Sequence, residues 1–243
     1  MRRTGGAILA LVCMVLPLQA ELRNTMPDSH LEHFKQEANR KAARFPQSYI
    51  LEEKTAQMRL YLTFDDGPDR VNTPKILDIL KKEGVKATFF FLGERIEAAP
   101  GILRRAAREG HVILPHGNRH VDFRKHPFET VLAQQIRPVA ETIEGLTQQH
   151  YPLAFRPPYG AVTDKQIEAF AKAGYRIINW SVDSFDWMKG RSSEQIVAEV
   201  MRYLHPGAII LLHSGGANRQ TPRALEALIP RLKKAGYRFD TLH

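Results

Sequence analysis

The sequence predicts an α/β domain built on a parallel sheet, and three observations carry that prediction. From residue 59 onward, short apolar runs alternate with stretches of helical periodicity. Several helical stretches stop at a glycine just before the next apolar run: Gly84, Gly110, Gly174 and Gly236. The side chains able to do chemistry cluster at the ends of the apolar runs rather than within them.

Taken in chain order, the N-terminus comes first. Arg2 and Arg3 precede an almost wholly apolar stretch, 7–18, and Leu18-Gln19-Ala20 ends on a small residue. That is the pattern of an export signal over residues 1–20, and the run is short of the roughly 20 residues a membrane span needs. Cleaved, the segment exports the chain to periplasm, cell wall or medium; uncleaved, it anchors it. The single cysteine, Cys13, lies inside it, so no disulfide framework or cysteine-based zinc module is available. Residues 21–57 are polar. Asp28-Ser29 can cap a helix with Leu31, Phe34, Ala38 and Ala42 on one face, read as an extension packed on the main domain without chemistry of its own.

Residues 58–243 form the main domain. Strands are predicted at 60–64, 87–92, 112–114, 153–155, 175–182, 208–212 and 237–239. Helices are predicted at 73–83, 96–109, 127–149, 163–173, 192–204 and 222–234. This alternation fits an open doubly wound sheet or a closed or nearly closed barrel. No glycine-rich GxGxxG turn follows the first strand, so a dinucleotide site has no support. The chain is 43% apolar and 25% charged, with 35 Lys and Arg against 26 Asp and Glu, a net charge of +9. The basic residues are scattered over expected helix faces, which reads as solvated surface and not a nucleic-acid footprint.

The functional argument is positional. Asp65 and Asp66 follow the first strand, His116 and His120 the third; Arg156 ends the fourth, Asp183 and Asp186 follow the fifth, and His213 ends the sixth. In α/β barrels the loops after strand C-termini share one face, which carries the active site. His116 and His120 can reach one ion, and Asp66 completes a two-His, one-carboxylate set with open positions, the pattern of a catalytic centre. Zinc is the first choice of ion, with cobalt, manganese or nickel accepted by the same ligands. Adjacent carboxylates repel unless neutralised, and the ion for Asp66 and Arg156 for Asp65 do so. An Arg-paired Asp beside the ion suits a general base. The rigid loop Arg156-Pro157-Pro158-Tyr159-Gly160 would hold backbone N–H groups fixed, as an oxyanion site requires. His213, paired with Asp186, suits a general acid, and Trp187 and Leu211 can wall a pocket.

Thr63-Phe64-Asp65-Asp66-Gly67, the His116 and His120 pair, Arg156-Pro157-Pro158-Tyr159-Gly160, Asp183-Ser184-Phe185-Asp186-Trp187 and Leu211-Leu212-His213 resemble, in order, the five motifs of the polysaccharide deacetylase family, also called carbohydrate esterase family four. The resemblance covers residues 58–243 and is nearest to peptidoglycan and chitin-type deacetylases. It implies a distorted (β/α) barrel of about seven parallel strands with outer helices. It further implies a metal-dependent hydrolase that removes N-acetyl groups from N-acetylglucosamine or N-acetylmuramic acid units of a polysaccharide, and the chain is expected to act as a monomer. An O-acetyl esterase on xylan-type polymers or a non-catalytic glycan-binding barrel are the rival expectations. By this resemblance Asp65 is the base, and Asp66, His116 and His120 the metal ligands. Arg156 pairs the base, Tyr159 N–H is the oxyanion donor, His213 the acid and Asp186 its partner. Trp187 and Leu211 receive the acetyl methyl, and Asp183 is expected with them among the substrate-binding residues. One departure is Gly117, where the family commonly has Ser or Thr, so the bracing of the ligand loop is an open question.

Overall fold

The computed structural model describes residues 28–150, 152–216 and 219–242, so the expected export signal lies outside the described residues. In order, the elements are α1 (Asp28–Arg44), β1 (Tyr49–Ile50), β2 (Arg59–Gly67), α2 (Asn72–Glu83), β3 (Thr88–Phe91), α3 (Gly93–Ala98), α4 (Pro100–Arg108) and β4 (Val112–Pro115). There follow α5 (Phe128–Val131), which runs through a π turn into α6 (Arg137–Thr147), then β5 (Ala154–Phe155), α7 (Asp164–Lys172), β6 (Arg176–Ile178) and β7 (Val182–Asp183). The chain closes with α8 (Ser193–Tyr203), β8 (Ile209–His213), α9 (Thr221–Lys234) and β9 (Arg238–Asp240).

Every strand pair is parallel. One sheet has the order β4-β3-β2-β8-β7, with β9 on the start of β2; the other has the order β1-β6-β5. The two meet where Arg156 N–H donates to Pro115 O at 3.1 Å, carrying the barrel from β4 to β5. This is the distorted barrel expected from the resemblance, split into two sheets.

Three departures from the sequence reading have physical causes. The strand expected at 175–182 is two strands, because the chain changes sheet within it. Asn179 N–H donates to Ile50 O beside β1, whereas Ser181 N–H donates to Ile209 O of β8. The helix expected at 96–109 breaks at Ala99 (φ −146°, ψ 55°), since Pro100 disfavours helical geometry in the residue before it. The two-residue strand β1 is too short to leave any periodicity in the sequence.

Strand alternation sorts side chains into two environments. Leu60, Leu62 and Phe64 of β2, Phe89 and Phe91 of β3, Ile113 of β4, and Ile210 and Leu212 of β8 pack with helix residues such as Leu77, Leu103, Val197 and Leu228. Each such buried side chain contributes about 1.5–3 kcal/mol. The intervening residues form a second, inner set: Tyr61, Phe90, Val112, Leu114 and Ile209 pack together inside the barrel. Continuing that inner rhythm to the strand ends brings Thr63 and Asp65, then Leu211 and His213, to the barrel mouth. There β2 and β8 are in register, Asp65 opposite His213.

The loop after β4 answers the question raised by Gly117. Its φ is +100°, and a Cβ there would come within 3.1 Å of Arg119 O and of the Phe123 ring. A serine in this conformation would be strained. The start of α3 supplies the bracing instead: Gly93 N–H donates to Gly117 O at 3.0 Å and Glu94 N–H to Asn118 O at 3.1 Å. Backbone donors take the place of the missing hydroxyl. Gly117→Ala is therefore expected to lower stability by about 1–3 kcal/mol in denaturant unfolding and to weaken metal binding, with α-helical content unchanged.

Candidate active site and metal centre

Consecutive residues of a strand point to opposite faces, so Asp65 and Asp66 should not both reach the mouth. A register shift between Phe64 and Gly67 in the pairing with β3, together with a left-handed φ of 65° at Asp66, turns the second carboxylate round. The irregularity is what makes two neighbouring aspartates usable at one place.

Asp66 Oδ1 then lies 3.4 Å from His116 Nε2 and 3.5 Å from His120 Nε2, and all three ligand atoms fall within 4.8 Å of one another. His116 Nδ1 is 2.9 Å from Arg156 O, a bond it can make only as donor, so Nε2 presents its lone pair to the cluster. Burial lowers the pKa of His120, keeping its imidazole neutral. Burial opposes ionisation of Asp66, but contact with His116 and the nearby positive charge of His213 outweigh it and hold the carboxyl well below the usual carboxylate range. Asp66 Oδ1 is buried without a hydrogen-bond partner. Three converging electron-rich atoms and a buried orphan oxygen fit a divalent cation, and these residues could hold one.

Asp65 is 3% exposed and Arg156 is fully buried. The guanidinium uses its donors on four groups: Asp65 Oδ1 at 2.7 Å, Thr63 Oγ1 at 2.8 Å, Asn179 O at 2.9 Å and Ile178 O at 3.0 Å. The Phe90 ring lies 4.1 Å from its central carbon. With one Asp65 oxygen fixed, Oδ2 faces the cluster, 3.8 Å from His116 Nε2. Removing one partner of a buried pair of this kind costs about 3–5 kcal/mol.

Opposite, His213 Nδ1 is 2.7 Å from Asp186 Oδ1, and Asp186 Oδ2 accepts from His213 N–H at 2.8 Å and from Thr221 Oγ1 at 2.6 Å. Burial works against a charged imidazole, but the Asp186 carboxylate prevails and raises the His213 pKa to about 9. The imidazolium therefore persists at neutral pH, and its Nε2 makes no hydrogen bond among the described residues. Asp183 Oδ1 accepts from Phe185 N–H at 2.8 Å and from the Trp187 indole N–H at 3.3 Å. Burial pushes Asp183 up to about 6. Its contacts orient the Trp187 turn. The Trp187 ring is 42% exposed, and Leu211, buried at 3%, lies beside Asp183 in the sheet register.

Tyr159 has φ 60° and ψ 9°. Its ring meets His120 edge-on at 4.4 Å and is otherwise exposed. The turns beside it are closed by Gly160 N–H to Pro157 O and Ala161 N–H to Pro158 O, which leaves Tyr159 N–H outside both. The structure thus gathers Asp65, Asp66, His116, His120, Arg156 and His213 at one mouth, with Asp186 behind. Three supporting groups carry no role in the sequence reading: Thr63, Asn179 and Thr221. Thr221 begins α9 beside Pro222, a position that reads as an ordinary helix start.

The chain matches the family model of polysaccharide deacetylase over residues 52–178. It is 44% identical over 183 residues to a peptidoglycan-N-acetylglucosamine deacetylase of Bacillus cereus, covering 74% of this chain and 66% of that protein. It is 37% identical over 196 residues to a chitooligosaccharide deacetylase of Bradyrhizobium sp., covering 75% of this chain and 88% of that protein. The solved structure of Bacillus subtilis PdaA, a family 4 carbohydrate esterase, is similar with a TM-score of 0.75 and 31% identity, over 84% of this chain and 86% of that one. A family model that spans more than half of the chain, joined to relatives of this identity, shows that the chain belongs to the polysaccharide deacetylase family.

Proposed function

We propose that this site hydrolyses the acetamide of N-acetylglucosamine units in a peptidoglycan-type glycan, giving acetate and a free amine. The observation that carries the reading is the buried, unpartnered Asp66 oxygen between two imidazoles, flanked by an Arg-held carboxylate and an Asp-held imidazolium. The chemistry is that of a hydrolase of N-acetyl amides, in keeping with the deacetylases of Bacillus cereus and Bradyrhizobium. The peptidoglycan named for the first of these supports the choice of glycan, and N-acetylglucosamine is likewise taken from it. A cell-wall substrate also supports export, the role proposed for residues 1–20, with residues 58–243 as the catalytic domain. No helix among the described residues is long and apolar enough to cross a membrane.

The roles follow from the geometry. Asp66, His116 and His120 would hold the ion, which we take to be zinc from the nitrogen-rich ligand set. When bound, a divalent cation supplies charge that polarises the amide carbonyl and makes water acidic enough to attack. Asp65 Oδ2 takes the proton of the attacking water, and Arg156 keeps that carboxylate aimed. Tyr159 N–H donates to the developing oxyanion. His213, held as imidazolium by Asp186, gives its proton to the departing amine. Trp187 and Leu211 enclose the acetyl methyl, and Asp183 holds the Trp187 ring in place.

Three outcomes are expected. Asp65→Asn loses kcat by roughly 10²–10⁴-fold while retaining its metal, measured as acetate release from acetylated glycans with metal analysis alongside. The same assay on acetylated xylan should give no acetate with the wild type; xylan as the preferred substrate would contradict the amide reading. An acid must be protonated to act, so activity persists below the His213 pKa and is lost above it. Asp186→Asn removes the charge that raises this pKa, and the alkaline limb of the kcat profile should move to lower pH by roughly one to two units. An unmoved limb would remove His213 from the role of acid.

A further inference from the structure

The Tyr159 backbone is held in a conformation that a tyrosine does not choose. Left-handed geometry costs a non-glycine residue of order 1–3 kcal/mol and persists only where the surroundings impose it. Here Gly160 is left-handed as well (φ +64°), so two consecutive residues must be fixed. The prolines on the N-terminal side restrict one flank. The other flank, residues 160–164, is fixed by α1.

Lys41 is 5% exposed, and its Nζ donates to Val162 O at 2.6 Å while pairing with Glu37 at 2.7 Å. Arg40 grips Asp164 with two bonds of 2.8 Å, and Arg44 adds a third of 2.6 Å. Asp164 begins α7 directly after Thr163, whose side chain caps that helix. The Phe34 ring stacks on Trp180 at 5.7 Å and lies within 3.2 Å of where a Cβ on Gly160 would sit. The bonds from Lys41, Arg40 and Arg44 reach across 121, 124 and 120 residues of sequence to the segment that follows Tyr159. α1 lies before the stretch that matches the family model, residues 52–178.

We infer that α1 is a positioning element of the active site: by tying Val162 and Asp164 it imposes the left-handed backbone at Tyr159 and turns its N–H toward the acetamide oxygen. This rests on the reading of Tyr159 N–H as oxyanion donor. Lys41 is the central positioning residue, because its ammonium is the buried contact on the loop backbone; Arg40 and Arg44 anchor the outer end.

The test uses the full chain carrying Lys41→Met, which keeps the packed stem, and separately the exposed double variant Arg40→Ala/Arg44→Ala. In Lys41→Met, kcat is expected to fall roughly 10- to 100-fold with KM within about threefold of wild type, since an oxyanion donor acts in the transition state. Metal stoichiometry stays unchanged, and hydrogen exchange at the Gly160 and Ala161 amides quickens. Lys41→Arg restores most of kcat, and the double variant shows a smaller shift of the same kind. Wild-type kcat and unaltered exchange in both variants would overturn the inference. So would a loss of kcat accompanied by loss of metal or by a matching rise in KM, which marks general support of the fold. If the wild type itself released no acetate, the deacetylase reading would fail, whereas exchange at residues 160 and 161 would still decide whether α1 braces the loop.

Discussion

The buried guanidinium of Arg156 is the constraint on which the active end of the barrel depends. Its backbone N–H joins β5 to β4, and its side chain joins both to β2 and to the carbonyls at the end of β6. Its own carbonyl fixes the tautomer of His116. One residue therefore closes the gap between two sheets, fixes one oxygen of Asp65 and orients the His116 imidazole. An uncompensated charge in that place would be severely destabilising, so the packing of Phe90 beneath it and the four acceptors around it belong to one solution. The split in the barrel and the chemistry at its mouth have a common origin.

Charge balance across the mouth has the same logic. Asp65 is paired with Arg156 on one side, and Asp186 with His213 on the other, so that two ion pairs flank the mouth. Of Asp65, Asp66 and Asp186, Asp66 is the one whose oxygen makes no hydrogen bond to a charged partner among the described residues, and it is the residue that a backbone irregularity turns into the cluster. Divergent environments for chemically identical carboxylates are what allow one fold to run acid and base chemistry together.

Much of this is legible in the sequence, for identifiable reasons. The parallel architecture shows because each strand and helix writes its own period into the chain, and the site shows because Asp, His and Arg stand at strand ends where a packed core has no use for them. Spacing does not separate an open sheet from a barrel; the five ordered motifs do, through the family they resemble. Other features depend on partners distant in sequence. The break within 175–182 needs β1 and β8 to be in place, the support of Asp186 by Thr221 spans 35 residues, and the reach of Lys41 to Val162 spans 121. Gly117, which reads as a loss against the family pattern, is explained only by the donors of α3 that meet it.

The account turns on three side chains from two strand ends sharing one divalent cation. Titration of the metal-free chain with zinc, followed by calorimetry in competition with a chelator, tests it directly. One ion per chain is predicted, with an affinity that falls at least about a hundredfold in Asp66→Ala and likewise in His120→Ala while the fold persists by circular dichroism. Unchanged stoichiometry and affinity in the Asp66 variant would contradict it.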